Sequence, residues 1–239
     1  MIVASIQPCF IPWVGYFEQI AVADVFVYLD DVQYTKKDWR NTNRLKSPYG
    51  VKSVHVPVQK TSRETRLNEA LISYNEPWEE ALLNKIHAWY GKAPYFGEVV
   101  PLLERPLAGK YERLVDLTVH LNNEVLAYIG VTTPISMASD IPKTTADKNG
   151  RIVEICRHFP AVDVLYDGKS ARKFIDLEIF RSHGVGVVFQ DYQQTPYPQL
   201  WGGPFEENLS VIDLLMNCGP DAKRVVLSSP LPGELRKSR

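Results

Sequence analysis

The chain of 239 residues carries 27 basic and 28 acidic side chains, so its formal net charge is −1. This balance lacks the basic excess that most nucleic-acid-binding proteins show, and no stretch approaches the roughly 20 apolar residues of a membrane span. Hydrophobic residues make up 45% of the chain and charged residues 23%, which is typical of a folded domain and not of a disordered one.

The cysteines and the N-terminus suggest a cellular location. Cys9, Cys156 and Cys218 are an odd and widely spaced set, which is typical neither of a disulfide framework nor of a zinc site. The first residues contain no basic segment followed by a long apolar run, so no signal peptide is expected. We therefore expect a cytoplasmic protein with reduced thiols.

The first thirty residues predict the start of a parallel sheet. Residues 2–6 are a short apolar run that ends at Gln7-Pro8, which favours a buried strand. A loop with two prolines follows, then a short helix over residues 16–23 and a second buried strand over residues 25–29. Strand, helix and strand in this order are typical of an α/β fold. Residues 52–58 alternate between apolar and polar side chains and predict a half-buried strand.

The middle of the chain changes to a helical pattern. The spacing of apolar residues predicts a helix over residues 76–90 with Asn75 as its cap, and a second helix over residues 111–129 that ends at Gly130. We therefore expect a helical insertion or subdomain over residues 75–130.

Alternating strands and helices resume after this insertion. Strands are predicted over residues 134–138, 162–166 and 185–189, and helices over residues 147–159 and 176–182. A last helix begins at Asn208 or Ser210 and ends at Gly219. The expected fold is α/β, with a mostly parallel sheet, flanking helices and the insertion. Residues 1–74 and 131–230 are expected to form two halves of one domain, and residues 231–239 a frayed tail.

The loop after the first strand is the first candidate site. Ligands of open α/β sheets bind beyond the carboxyl ends of the strands, and this loop is expected there. Its candidate binding residues are Gln7, Pro8, Pro12, Trp13, Gly15 and Tyr16. Packing of the aromatic rings under the sheet is an equally good interpretation.

A second candidate follows the second strand. Asp30 and Asp31 stand at its end, where a carboxylate can act as a general base or bind an amine, a hydroxyl or a metal. The next segment mixes cations with an indole and two carboxamides, which suits a phosphate with a ring stacked nearby. Its candidate binding residues are Trp39, Arg40, Asn41, Asn43, Arg44 and Lys46. A solvated charged loop is the common alternative.

Further candidates are scattered along the chain. His87 lies on a predicted helix and is a candidate base or proton carrier, although a lone helical histidine is more often structural. Gly168-Lys169-Ser170 resembles part of a phosphate loop but lacks its first glycine. Cys9 is a candidate nucleophile without an evident base. Polar residues near the C-terminus complete the candidates: Tyr197, Gln199, Asn208, Ser210 and Asp213. No histidine pair has zinc-binding spacing, so no metal site is expected.

Together these segments resemble the WbqC-like protein family. The resemblance rests on Q-P-C-F-I-P-W-V-G-Y-F at residues 7–17, V-F-V-Y-L-D-D-V-Q-Y at 25–34 and W-R-N-T-N-R-L-K at 39–46. The segments P-Y-P-Q at 196–199 and N-L-S at 208–210 are similar to its C-terminal signature. Thr42 and Asp167 depart from the pattern, where an arginine and a serine are expected. The resemblance implies a role in O-antigen and lipopolysaccharide biosynthesis.

That resemblance implies transfer of glycine or another acyl group to an amino sugar. On this hypothesis Asp30, Asp31 or His87 accepts the proton of the amine, and Arg40, Arg44 and Lys46 bind phosphates. Asn41 and Asn43 stabilise the oxyanion, while Trp13, Tyr16 and Trp39 stack on a ring. The sequence does not identify a cofactor. An acyl or aminoacyl thioester is a candidate donor, and an acyl carrier protein is a candidate partner beside the small-molecule substrate.

Two other functions stay open. A non-catalytic ligand-binding or assembly protein of such a pathway would bind a ligand tightly without forming a product. An ATP-dependent ligase would hydrolyse ATP with magnesium, although the chain has no convincing triphosphate loop.

Overall fold

The computed structural model describes residues 1–236 of the chain. Seven strands are present in these residues: β1 (Ile2–Ile6), β2 (Val25–Tyr28), β3 (Thr42–Ser47), β4 (Gly50–His55), β5 (Ile135–Met137), β6 (Val164–Asp167) and β7 (Gly186–Phe189). Five of them form a parallel sheet in the order β5-β2-β1-β6-β7, so that β1 lies at its centre. The predicted α/β fold with a mostly parallel sheet is confirmed.

The helices cover both faces of this sheet. They are α1 (Val14–Val22), α2 (Trp78–Tyr90), α3 (Phe96–Ala108), α4 (Leu114–Tyr128), α5 (Lys148–His158), α6 (Leu177–Ser182), α7 (Val211–Cys218), α8 (Ala222–Val226) and α9 (Gly233–Arg236). Alternate residues of β1 face opposite sides. Ala4 packs in the large core that includes side chains of α1, α2, α3, α4 and α7, whereas Val3 packs in a smaller core with Ile155 of α5.

Three local expectations differ from the structure. α3 was not predicted from the sequence, since Pro101 and Pro106 interrupt its pattern. Asn75 does not cap α2, because the helix begins at Trp78 with Pro77 before it and no side-chain cap. The tail is not frayed at Leu235, which is fully buried, while residues 237–239 lie outside the described part of the chain.

β3 and β4 form a separate antiparallel pair. Residues 42–47 therefore form a strand and not a solvated charged loop, which was the alternative that the sequence left open. The strand predicted over residues 52–58 is present, but it begins at Gly50 and ends at His55. The pair lies beside the loop that follows β1 (residues 7–13, the first loop). Asn43 of β3 donates from its side-chain amide to the carbonyl oxygen of Phe10 (3.1 Å), and the N–H of Phe10 donates to the carbonyl oxygen of Trp39, just before β3 (3.1 Å). No helix within residues 1–236 has the length and apolar character needed to cross a membrane.

Candidate functional site

A cavity of about 650 Å³ opens at the carboxyl ends of β1 and β6. These two strands are neighbours, and the chain leaves them toward opposite edges of the sheet, β1 to β2 and β6 to β7. Open α/β sheets bind ligands at such a point because the connections diverge and leave a crevice. The volume is within the range of small-molecule sites.

Many of the predicted binding residues line this cavity. They are Gln7, Pro12, Trp13, Tyr16, Trp39, Arg40, Asn43, Arg44 and Asn208. The first loop, the start of β3 and the segment before α7 therefore meet, although they are far apart in sequence. The other predicted binding residues, Pro8, Gly15, Asn41, Lys46, Tyr197, Gln199, Ser210 and Asp213, do not line it.

The first loop is held in a strained conformation by Asn43. The amide nitrogen of Asn43 donates to the carbonyl oxygens of Phe10 (3.1 Å) and Ile11 (2.9 Å). Ile11 has a φ of 37°, which is rare for a β-branched residue. Strain of this kind persists only where surrounding contacts impose it, and it occurs often at functional sites. Asn43 therefore fixes the shape of the cavity wall.

Gly15 acts through the ring of Trp13. A Cβ atom at Gly15 would lie 2.3 Å from Cη2 of Trp13, because the indole rests directly on the glycine backbone. The other side of the indole meets Tyr192 edge-on, with 5.4 Å between ring centroids. Gly15, predicted as a binding residue, thus does not line the cavity itself but lies under Trp13, which does.

The wall formed by residues 39–44 is cationic and aromatic. Arg40 pairs with Asp38, and the guanidinium of Arg44 lies 5.8 Å from the ring centroid of Trp39. Arg44 Nη2 also donates to the carbonyl oxygen of Asn208 (3.2 Å). Trp39 lines the cavity, and half of its surface is exposed to solvent. This wall can receive an anionic group with a ring beside it.

Asp167 is a lining carboxylate that sequence reasoning did not select. It is the last residue of β6, and only 8% of its surface is exposed. Burial raises the pKa of its carboxyl to about 7, and the hydrogen bond from Gly168 N–H to Oδ1 (2.7 Å) opposes that rise only in part. A carboxyl whose pKa is raised in this way can accept a proton near neutral pH, which is the property required of a general base. Its position at a strand end could have indicated it.

The segment after Asp167 forms another part of the cavity lining. Gly168, Lys169 and Ser170, which resemble part of a phosphate loop, all line the cavity. Lys169 is mostly exposed and pairs with Asp191 across 2.8 Å. Gln190, which follows β7, also lines the cavity, and its Nε2 donates to the carbonyl oxygen of Gly15 in α1 (2.7 Å).

Asp30 and Asp31 do not line the cavity. Asp30 accepts the backbone N–H of Ser139 at Oδ1 (2.8 Å). Asp31 is 5% exposed, and its Oδ2 lies 3.1 Å from Arg151 Nε and 3.3 Å from Lys143 Nζ. Both carboxylates therefore join the end of β2 to segments near α5, and neither reaches the ligand space.

His87 lies in another place altogether. It borders a shallower groove between α2 and α3, with Nε2 3.4 Å from Glu104 Oε1 and its ring edge-on to Phe96. The structure does not bring it together with the first loop. His87, one of the three alternative bases considered from the sequence, therefore lies outside the cavity.

Apart from Asn208, which lines the cavity, the C-terminal candidates belong to a largely buried network beside β3. Asp213 is fully buried and accepts the hydroxyls of Tyr90 (2.7 Å) and Tyr197 (2.9 Å). Lys46 Nζ donates to Gln199 Oε1 (3.3 Å). Burial also raises the pKa of the Asp213 carboxyl. These residues fasten α2, β3 and α7 together, as does Ser210, which caps α7.

Cys9 lines the cavity but is a poor nucleophile. Burial raises the pKa of its thiol to about 12, and the sulfur donates to the carbonyl oxygen of Gln7 (3.4 Å). A nucleophilic cysteine requires the thiolate, which is scarce at neutral pH when the pKa is this high.

Comparison with known proteins places the chain in a family. The family model described as the WbqC-like protein family matches residues 7–225, which include every residue that lines the cavity except Ser5 and Ile6 of β1. The chain belongs to this family. This WbqC-like protein is also 35% identical over 223 residues to an uncharacterized protein of Mycobacterium tuberculosis, Rv1507c, covering 92% of this chain and 95% of the relative. No solved structure matches it significantly.

Proposed function

We propose that this WbqC-like protein transfers an acyl or aminoacyl group, glycine in the simplest case, to the amine of an amino sugar nucleotide or a similar amine in surface-polysaccharide biosynthesis. The observation that carries this proposal is the position of the Asp167 carboxyl, which lines the cavity at the switch point of the sheet and is buried there, so that its pKa is raised to about 7. An amine nucleophile needs a base whose pKa is close to the working pH.

Asp167 takes the place that sequence reasoning gave to Asp30, Asp31 or His87. As the amine nitrogen attacks the carbonyl carbon of a thioester, a C–N bond forms and the C–S bond breaks. The amine loses a proton to Asp167, and the thiolate that leaves takes up a proton. The products are an amide and a free thiol, so no oxidant or metal is required for balance.

The oxyanion roles of Asn41 and Asn43 have less support. Their side-chain N–H groups already donate to backbone carbonyls, Asn41 to Val56 (2.9 Å) and Asn43 to Phe10 and Ile11. We therefore assign Asn43 to positioning of the first loop. Arg40 and Arg44, which line the cavity, remain the candidates for phosphate binding, whereas Lys46 is buried beside Gln199.

The test is a product search by mass spectrometry with aminoacyl and acyl thioesters and uridine-diphosphate glucosamine. We expect kcat/KM to rise with pH through about 7, because Asp167 must be deprotonated to act as the base. Asp167→Asn should lower kcat by about 100-fold or more and abolish that pH dependence. Asp140→Asn, which removes an exposed carboxylate outside the cavity, is the matched control.

Other outcomes point elsewhere. A ligand that binds tightly without a product would favour the ligand-binding or assembly role. Product that appears only with ATP and magnesium would favour the ligase. An unchanged pH profile in Asp167→Asn would remove Asp167 as the base.

A further inference from the structure

The lining of the cavity contains buried hydrogen-bond donors that have no acceptor within residues 1–236. Four of the lining side chains have a buried polar atom that meets no hydrogen-bond partner in the described part of the chain: Ser5 Oγ, Gln19 Nε2, Arg40 Nε and Arg44 Nε. Ser5 and Gln19 are each only 2% exposed. All four groups can donate a hydrogen bond, and a buried donor without an acceptor is costly. Such a set fits a ligand that is rich in acceptor oxygens.

These donors lie at two different parts of the cavity. Arg40 and Arg44 belong to the wall that also holds Trp39. Gln19 belongs to the part next to Asp167, since its Oε1 would lie 3.8 Å from a Cβ atom placed on Gly168. The first part therefore carries two arginines, whereas the part beside the proposed base carries the amide of Gln19 and a lysine, Lys169, whose charge is paired with Asp191.

Exposed aromatic rings line the cavity as well. Trp39 is 50% exposed and Phe174 is 47% exposed, which is unusual for such large apolar side chains. Aromatic rings beside cations suit a flat heteroaromatic group next to a phosphate. Since Arg44 already lies against the Trp39 ring, a base stacked there would place its phosphates close to the guanidinium.

We infer that the cavity binds a nucleoside diphosphate ester in one orientation, with the diphosphate at Arg44 and Arg40, the base against Trp39, and the esterified group toward Gln19 and Ser5. The proposed function is needed only for the assumption that this group carries the acceptor amine. The binding of a nucleoside diphosphate stands on the donors, charges and rings of the cavity alone.

The same chemistry could enter from two sources. A sugar nucleotide would bring the acceptor, and coenzyme A, which also contains a nucleoside diphosphate ester, would bring the acyl donor. Isothermal titration calorimetry with uridine diphosphate, uridine-diphosphate glucosamine, coenzyme A and free glucosamine distinguishes them. We expect uridine-diphosphate glucosamine to bind more tightly than uridine diphosphate, because only the former reaches Gln19. If coenzyme A bound more tightly than both uridine compounds, the cavity would be the site of the acyl donor and not of the sugar nucleotide.

Two variants test the orientation. Arg44→Gln should weaken binding of both uridine compounds on the order of 10- to 100-fold, as expected for the loss of a charge-assisted hydrogen bond. Gln19→Met keeps the shape of the side chain but removes its amide, so it should weaken the glucosamine compound about 10-fold and leave uridine diphosphate unchanged. Arg105→Gln removes an arginine of α3 outside the cavity and should change neither affinity.

The results separate this inference from the proposed function. Binding with the expected variant pattern but without product would uphold the inference and refute the transferase. Equal loss of both uridine compounds in Gln19→Met, or wild-type affinity in Arg44→Gln, would overturn the orientation. Absence of binding by all three nucleoside diphosphates would overturn the inference itself. Circular dichroism of each variant separates loss of binding from loss of folding.

Discussion

At the scale of single residues, the same side chain has different chemistry in different surroundings. Asp31 and Asp167 are both buried carboxylates. They lie near the carboxyl ends of β2 and β6, the two strands that flank β1. Asp31 has Arg151 and Lys143 beside it, which compensate its charge. Asp167 has no ion pair among the described residues, and burial raises the pKa of its carboxyl to about 7. The compensated carboxylate is suited to structure, and the uncompensated one to proton transfer.

This difference predicts the effect of Asp31→Asn. Loss of the charge leaves Arg151, itself only 5% exposed, without its buried partner. Breaking a buried ion pair costs about 3–5 kcal/mol, so the free energy of unfolding should fall by roughly that amount in urea titrations. The pH dependence of turnover should persist. If Asp31→Asn instead abolished turnover at unchanged stability, Asp31 would regain the role of base that the sequence suggested.

At the scale of elements, the first loop and α1 depend on one close contact. Gly15→Ala should favour the helix intrinsically, but its methyl group would occupy the place of the Trp13 indole. We expect the indole to move and uridine-diphosphate glucosamine to bind more weakly by about 10-fold, equivalent to ~1.4 kcal/mol, with the helical circular dichroism retained. Tryptophan fluorescence should report the displaced ring.

Gly97→Ala is the matched control for this prediction. Gly97 is also helical, but a Cβ atom there would meet nothing within 4 Å. The substitution should raise stability by roughly 0.5–1 kcal/mol and leave binding unchanged. Wild-type binding by Gly15→Ala would show that the position of Trp13 does not matter for the ligand.

The elements also explain which parts of the site the sequence could predict. Trp13, Trp39 and Arg44 belong to a recognisable signature near the N-terminus, and all three line the cavity. Asp167 and Gln190 lie far along the chain and enter the site only because β6 pairs with β1 and β7 with β6. Sequence patterns predict the strands but not their order. From the sequence alone, Asp167 is therefore notable only because it stands where the family resemblance predicts a serine, and nothing indicates that it enters the site.

At the scale of the whole molecule, the large core joins the middle helices to the sheet. Ile86 of α2 and Leu117 of α4 belong to the same cluster of buried side chains as Ala4 of β1. The hydrogen bond from Tyr90 to Asp213 connects residues 123 positions apart. Residues 75–130 should therefore unfold together with the rest of the chain and not as an independent subdomain.

Unfolding of Tyr90→Phe tests this coupling. The substitution deprives Asp213 of one donor and the backbone N–H of Lys46 of its acceptor, so it should cost about 1–3 kcal/mol. Tyr49→Phe, at an 83% exposed position, should cost close to nothing. In both variants and in the wild type, tryptophan fluorescence and far-ultraviolet circular dichroism should give one coincident transition in urea. Because α2 carries Trp78 and Trp89 whereas the first loop carries Trp13, two separate transitions would mean that the helices at 75–130 form a unit of their own.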